Sequence, residues 1–250
     1  MPDPDQLREP SAASAQTPQL WLFDIDGTLL ISGGAGQQAM LATLEHEFGI
    51  GQVEGDIPAA GRTDAAITAD LFDAYGIDAD EAVRDRFREQ YVGHLERVLP
   101  ERPGVLLPGV RPLLEELAGD SSVRLGLLTG NYHAAARAKL AAFDLLKFFP
   151  DRDGQLVGGF GDDFPNRDDV AGVAWTDAAE HHNNVSPDRT VVIGDTPADV
   201  QCGRAIGART IAVLTGGFDR DTLAACEPDR LVDTLEELVG VDRSSLFAER

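Results

Sequence analysis

Gln19-Leu20-Trp21-Leu22-Phe23-Asp24-Ile25-Asp26-Gly27-Thr28-Leu29 is the stretch whose reading decides the fold. Leu20 to Phe23 is continuously apolar, and the run stops on two carboxylates and a glycine. A short apolar run that ends at a turn reads as a buried strand. The polar residues that follow it then lie at the strand's carboxyl end.

Working outward, strands and helices alternate toward the C-terminus. Val110–Leu117 reads as a helix, with Pro112 in the first turn, where a missing N–H is tolerated. Val123–Leu128 reads as a strand and Ala134–Ala142 as a helix. Leu156–Phe160 is a short strand, Val170–His181 a helix and Thr190–Ile193 a strand. Ala198–Ile206 (helix), Thr210–Leu214 (strand), Arg230–Val232 (strand) and Leu235–Val239 (helix) complete the series. Such alternation predicts an α/β fold, a doubly wound, Rossmann-like parallel sheet with helices on both faces.

The alternation is interrupted once. Between the loop-like Ser32-Gly33-Gly34-Ala35-Gly36 and the break at Leu106-Leu107-Pro108-Gly109, the chain reads as helical. Ala39, Met40, Thr43, Leu44 and Phe48 form one stripe. Ala66, Ile67, Ala69, Leu71 and Phe72 form a second, and Val83, Phe87, Tyr91 and Leu95 a third. Residues 33–107 are therefore expected as an inserted all-helical cap. Residues 19–32 and 108–250 form the core, and residues 1–18, rich in Pro, Asp, Ser and Ala, a flexible tail without signal-peptide character.

Composition narrows the partners. The net charge of −22 opposes binding to nucleic acid or to an anionic membrane. No apolar run reaches the length of a membrane span. Cys202 and Cys226 have no metal-ligand or redox spacing and read as free thiols in a reducing cytoplasm. An anionic substrate would be repelled at long range, so its site has to supply positive charge locally.

In open parallel sheets, ligands bind beyond the carboxyl ends of the strands. The residues placed there are Asp24 and Asp26, then Thr129, Gly130 and Asn131, then Asp195, Thr196 and Asp199. Four carboxylates on one edge repel one another unless a cation lies between them. A hard divalent ion with oxygen ligands, such as Mg²⁺, satisfies that need.

Asp24-Ile25-Asp26-Gly27-Thr28, Thr129-Gly130-Asn131 and Gly194-Asp195-Thr196-Pro197-Ala198-Asp199 resemble, in order and spacing, the first, second and fourth motifs of the haloacid dehalogenase-like superfamily. The resemblance runs from about Leu20 to the C-terminus and is closest to phosphoglycolate phosphatase-type members with a helical cap. It implies Mg²⁺-dependent hydrolysis of a small phosphomonoester, with Asp24 as nucleophile forming an aspartyl-phosphate. It implies Asp26 as general acid and then base. Mg²⁺ would be held by Asp24, the Asp26 peptide oxygen and Asp195, with Asp199 acting through water or orienting the others. Thr129, Gly130 and Asn131 would meet the phosphoryl oxygens, although Asn131 reads equally well as a helix cap.

The third motif departs from the pattern, because the usual lysine is missing. Lys139 and Lys147, the only lysines in the chain, come too early. Arg167, expected just ahead of a helix, takes the place, keeping the charge and adding a bidentate fork. In the insert, Ala60-Gly61-Arg62-Thr63-Asp64 opens a helix; related caps present such a loop to substrate, which makes Arg62 a candidate contact. Thr63 or Asp64 would simply cap the helix.

The expected partner is a small phosphorylated metabolite, and the chain a cytoplasmic monomer or homodimer. Asp26 disfavours a dehalogenase, and the lysine-free insert disfavours phosphonatase and sugar phosphomutase readings. A non-catalytic binding or regulatory protein on the same fold, or a dimeric scaffold, are the alternatives from other classes. His181-His182-Asn183-Asn184 reads as a solvated helix end, His46 and His94 as surface or packing residues, and Asp162 and Asp163 as solvated surface.

Overall fold

A computed structural model describes residues 18–53, 58–149, 151–152, 155–181 and 185–247. All of the expected tail before residue 18, and His182, Asn183 and Asn184, lie outside the described residues.

Strand β1 (Gln19–Phe23) is buried at every position. It pairs in parallel with β4 (Val123–Leu128) on one side and β8 (Thr190–Gly194) on the other. With β7 (Gly158–Gly159), β9 (Arg209–Val213) and β10 (Arg230–Val232) they form a six-stranded sheet in the order β10-β9-β8-β1-β4-β7. Each pairing is parallel. The alternation of side chains sorts β1 onto two faces. Trp21 and Phe23 enter a core with α4 (Val110–Gly119) and α5 (His133–Ala142), whereas Leu20 and Leu22 enter another with α6 (Arg167–His181) and α7 (Pro197–Ala205). Each fully buried large apolar side chain contributes roughly 1.5–3 kcal/mol. The central strand thus has apolar partners on both of its faces.

Between β2 (Leu30–Ile31) and β3 (Val105–Leu106) the chain leaves the core and returns, and these two strands pair as an antiparallel ribbon. The excursion carries α1 (Ala35–Phe48), α2 (Asp64–Tyr75) and α3 (Glu81–Val98). Thr63 caps α2 by accepting from the Ala66 N–H at 3.1 Å, and Asp80 caps α3 by accepting from Val83 at 2.9 Å. Helices α1 and α2 stop at Gly49 and Gly76, both left-handed, the conformation that reverses the chain and satisfies terminal carbonyls. Phe48, Phe72 and Phe87 pack ring on ring at the centre of this layer. Tyr132 and Ala135 of the core complete the same cluster, so the helical layer rests on α5.

Several details depart from expectation. Leu156–Phe160 is not one strand: Gln155–Leu156 is β6, paired with β5 (Asp151–Arg152), and only Gly158–Gly159 joins the main sheet. Leu235–Leu238 is a 3₁₀ turn in place of an α-helix. The β2–β3 ribbon and α8 (Arg220–Ala225) were not anticipated, because two paired residues or six helical ones carry too little periodicity to read.

Candidate active site

The carboxyl ends of β1, β4 and β8 bring the predicted polar residues together. Asp24, Asp195 and Asp199 are all buried, and each offers an oxygen within 4.8 Å of the others. Asp195 lies against Gly216, where a Cβ would fall 1.7 Å from its Oδ2, and against Gly27, where a Cβ would fall 2.4 Å away. Thr28 donates to Asp195 Oδ1 at 3.0 Å. This carboxylate therefore has one orientation, set by two side-chain-free positions and one hydroxyl.

Burial raises the acid form of Asp24 to about 7; Arg167 opposes the rise, and Asp199 and Asp26 add to it. Burial, then Asp24 and Asp199, raise Asp195 to about 8. Three like charges removed from water create this cost. Arg167 supplies a compensating charge directly on this cluster. Arg167, buried at the start of α6, donates from one guanidinium nitrogen to Asp24 Oδ1 at 2.8 Å and to Asp199 Oδ1 at 2.5 Å. Burial alone would lower its pKa, but Asp199 and Asp24 push it above the ordinary arginine value. Its Nε is buried and has no partner among the described residues.

Asp199 is fixed twice. Its Oδ2 accepts from the Thr196 N–H at 3.0 Å and hydroxyl at 2.7 Å, while the Thr196 hydroxyl accepts from the Asp199 N–H at 3.3 Å. This capping box opens α7 and turns Asp199 Oδ1 toward Arg167. Thr129, fully buried, accepts at Oγ from the Asn131 N–H (3.3 Å) and side-chain amide (2.8 Å). A hydroxyl that accepts twice still has its proton to donate. The cleft over these groups has a volume of about 430 Å³, within the usual range for a small-molecule site. Asp24, Asp26, Thr129, Arg167 and Asp195 line one end. Ile31, Met40, Ile67 and Tyr91, mostly from the helical layer, line the other.

A profile of haloacid dehalogenase-like hydrolases matches residues 21–204, and a second profile, of HAD-hydrolase-like proteins, matches residues 171–238. The chain belongs to the haloacid dehalogenase-like hydrolase family. It is 29% identical to the probable phosphatase IndB of Dickeya dadantii, over 91% of this chain and 94% of the relative. It is 28% identical to a phosphoglycolate phosphatase of Rhodospirillum rubrum, over 83% and 84% of the two chains. A crystal structure of a predicted phosphoglycolate phosphatase from Haemophilus somnus superposes with a TM-score of 0.66 at 17% identity, over 90% of this chain and 97% of that one, and shares the fold. The chain is thus an enzyme, a hydrolase with the fold and relatives of the family's phosphatases. No helix among the described residues is long and apolar enough to cross a membrane.

Asp24, Asp26, Thr129, Gly130, Asp195 and Asp199 all lie at the sheet edge. Arg167 does not precede α6 as expected; it is the helix's first residue, and it reaches the site. Asn131 does not cap α5: the N-cap is Tyr132, whose own side chain makes no capping bond. Asn131 donates instead to Asp26 Oδ2 at 2.8 Å. Arg62 lines the cleft, but its guanidinium is bonded to Asp70 at 2.6 Å and to the Pro58 and Ala66 carbonyls. Asp162 is not a solvated surface group; it accepts from the His133 N–H at 2.6 Å at the start of α5.

Sequence reasoning missed two groups. Lys139 comes too early for the third motif, yet its position in α5 places its ammonium 2.6 Å from Asp26 Oδ2. A lysine at helical spacing among Ala135, Ala136 and Leu140, all buried, was the available signal. Asp64 does more than open α2. Its Oδ2 accepts from the Tyr132 N–H at 2.8 Å, and its own N–H donates to the Gly130 carbonyl at 2.7 Å. A Cβ on Gly130 would lie 2.0 Å from the Arg62 carbonyl oxygen. The bare glycine lets the start of α2 dock directly on the second motif.

Proposed function

We propose that this protein is a Mg²⁺-dependent phosphatase that hydrolyses a small phosphomonoester through an aspartyl-phosphate on Asp24. The observation that carries the reading is the buried cluster of Asp24, Asp195 and Asp199, with Arg167 on Asp24 and Asp26 beside the same cleft. In the first step a carboxylate oxygen of Asp24 attacks phosphorus, the bond from phosphorus to the leaving oxygen breaks, and Asp26 gives that oxygen a proton. In the second step Asp26 takes a proton from water as the water oxygen attacks phosphorus. The bond to Asp24 breaks and inorganic phosphate leaves. The Thr129 hydroxyl and the Arg167 guanidinium stabilise charge on the phosphoryl oxygens.

The donor set fits Mg²⁺: it is all oxygen, buried, and carries carboxylates whose crowding a cation relieves. Asp24, Asp195 and the Asp26 peptide oxygen would hold the ion. Asp199, with both oxygens committed to Thr196 and Arg167, would orient the set. When bound, the metal offsets the repulsion between an anionic nucleophile and an anionic phosphate. Residues 33–107 act as a cap that shields the cleft from water, hinged near the β2–β3 ribbon. The relatives named phosphatase and phosphoglycolate phosphatase support a small phosphorylated metabolite as substrate. The free thiols Cys202 and Cys226 suit a reducing, cytoplasmic setting.

The test is phosphate release from 4-nitrophenyl phosphate with and without Mg²⁺, followed by a screen of phosphorylated metabolites. Activity is expected to require the ion and to be abolished in Asp24→Asn with the fold retained. Full activity in that variant, or in excess chelator, would falsify the reading.

A further inference from the structure

Asp26 is a demanding residue to hold in place. Its side chain is 40% exposed, open to the cleft, and a terminal carboxylate torsion is broad and roughly two-fold. Left alone, such a group samples several orientations, and proton transfer to a leaving oxygen tolerates few of them. Two donors fix it. Lys139 Nζ lies 2.6 Å from Asp26 Oδ2, and Asn131 Nδ2 lies 2.8 Å from the same oxygen. The two donors are themselves joined, because Lys139 donates to Asn131 Oδ1 at 2.6 Å. An ammonium has no acceptor, so this last bond also settles which end of the Asn131 amide faces the lysine. Lys139, Asn131 and Asp26 thus form a closed triangle. Among the described residues no donor reaches Asp26 Oδ1.

The ammonium is almost fully buried, with 4% of the residue exposed. Burying a charge that way is costly unless it is paired and hydrogen-bonded. Surface pairing would be far cheaper, so the position of this lysine inside α5, facing the cleft, calls for a role in the site. Arg167 is placed differently. It contacts Asp24 and Asp199, not Asp26, and so the two buried cations serve different carboxylates.

We propose that Lys139 is a positioning residue for proton transfer, clamping Asp26 Oδ2 together with Asn131 so that Oδ1 is presented to the leaving-group oxygen. Oδ1 carries the proton that is transferred, while Oδ2 keeps both donors throughout. The inference rests on the phosphatase reading above, and its test separates the two.

The test exploits leaving groups. An alkyl phosphate needs its leaving oxygen protonated, whereas 4-nitrophenolate leaves with little help. General acid catalysis is worth typically 10²–10⁴-fold. Lys139→Met is therefore expected to lower kcat/KM for a simple alkyl phosphate by roughly 100-fold, and for 4-nitrophenyl phosphate by less than about tenfold. Asp26→Asn should show the same selectivity, and adding Lys139→Met to it should cost little more, since the lysine acts through Asp26. Lys139→Arg should recover part of the alkyl activity. Equal losses on both substrates, or full multiplicative losses in the double variant, would overturn the role. If Lys139→Met does not fold, as judged by circular dichroism, Lys139→Gln keeps a donor and carries the same comparison. Asp24→Asn is the control: its activity on either substrate would sink the phosphatase reading, whereas an inactive control with unchanged substrate ratios in the Lys139 variants would sink only this inference.

Discussion

The sheet edge and the helical layer face each other across one cleft, and they are built by opposite means. At the sheet edge the polar side chains hold one another: Asp195 with Thr28, Asp199 with Thr196 and Arg167, Thr129 and Asp26 with Asn131. Opposite, Ile31, Met40 and Ile67 present apolar surface, and Arg62, in the loop before α2, is bonded to Asp70 of that helix. The difference teaches where precision is needed. In the reading proposed above, a reacting phosphoryl group needs fixed geometry, and its side is held by hydrogen bonds and by two buried cations, Arg167 and Lys139. The rest of a substrate needs shape and exclusion of water more than fixed charge.

The largest effect on this contrast should come from the sheet edge. Arg167→Ala removes the buried charge that bridges Asp24 and Asp199 and offsets their repulsion. Breaking a buried pair this way costs roughly 3–5 kcal/mol. We expect kcat/KM to fall by about 100-fold or more, at about 2.7 kcal/mol per hundredfold, together with a lower Tm. Arg167→Lys should retain part of both. An alanine variant with wild-type kinetics would move the phosphoryl partner elsewhere.

An intermediate effect concerns the metal. Asp24 and Asp195 have acid forms raised to about 7 and about 8 in the fold, against about 3.9 for an ordinary aspartate. Between these values the folded chain holds more protons than the unfolded one. Stability without metal is therefore greatest at the acidic end of that window and falls as pH rises toward 8. Mg²⁺ competes with those protons, so its stabilisation should grow over the same range. Thermal melts with Mg²⁺ and with chelator at pH 5.5 and pH 8 read this directly. A larger Mg²⁺ shift at pH 5.5 would contradict the assignment of these two carboxylates.

The smallest effect should come from the helical layer. Arg62 is committed to an exposed pair, and such pairs are worth about 0–1 kcal/mol. Arg62→Ala is expected to change kcat/KM for 4-nitrophenyl phosphate by less than about threefold. A loss as large as that of Arg167→Ala would mean that Arg62 releases Asp70 to grip the substrate, and the contrast between the two sides would fail.

Much of this was legible from local signals. Trp21 and Phe23 alternate with Leu20 and Leu22, and each set entered its own core. Asp24, Thr129 and Asp195 each follow a buried strand, and parallel pairing necessarily gathers such residues on one edge. Arg167 was legible only through the family resemblance, as the cation standing where the third motif usually has lysine. Lys139 was not. Its partner Asp26 is 113 residues away, and its bond depends on how α5 packs beneath the helical layer. The pairing of Arg62 was illegible for a related reason: its sequence context shows a turn, but not the Asp70 carboxylate two helical turns on.

The sequence by itself determined the alternating core, the helical excursion and the carboxylates at the strand ends, because strand and helix periodicity and turn chemistry are local. Only the tertiary structure decided which cation serves which carboxylate, Arg167 for Asp24 and Lys139 for Asp26. Those pairings join residues far apart in the chain, and burial makes them compulsory: a charge taken out of water must find its partner wherever the packed elements place one.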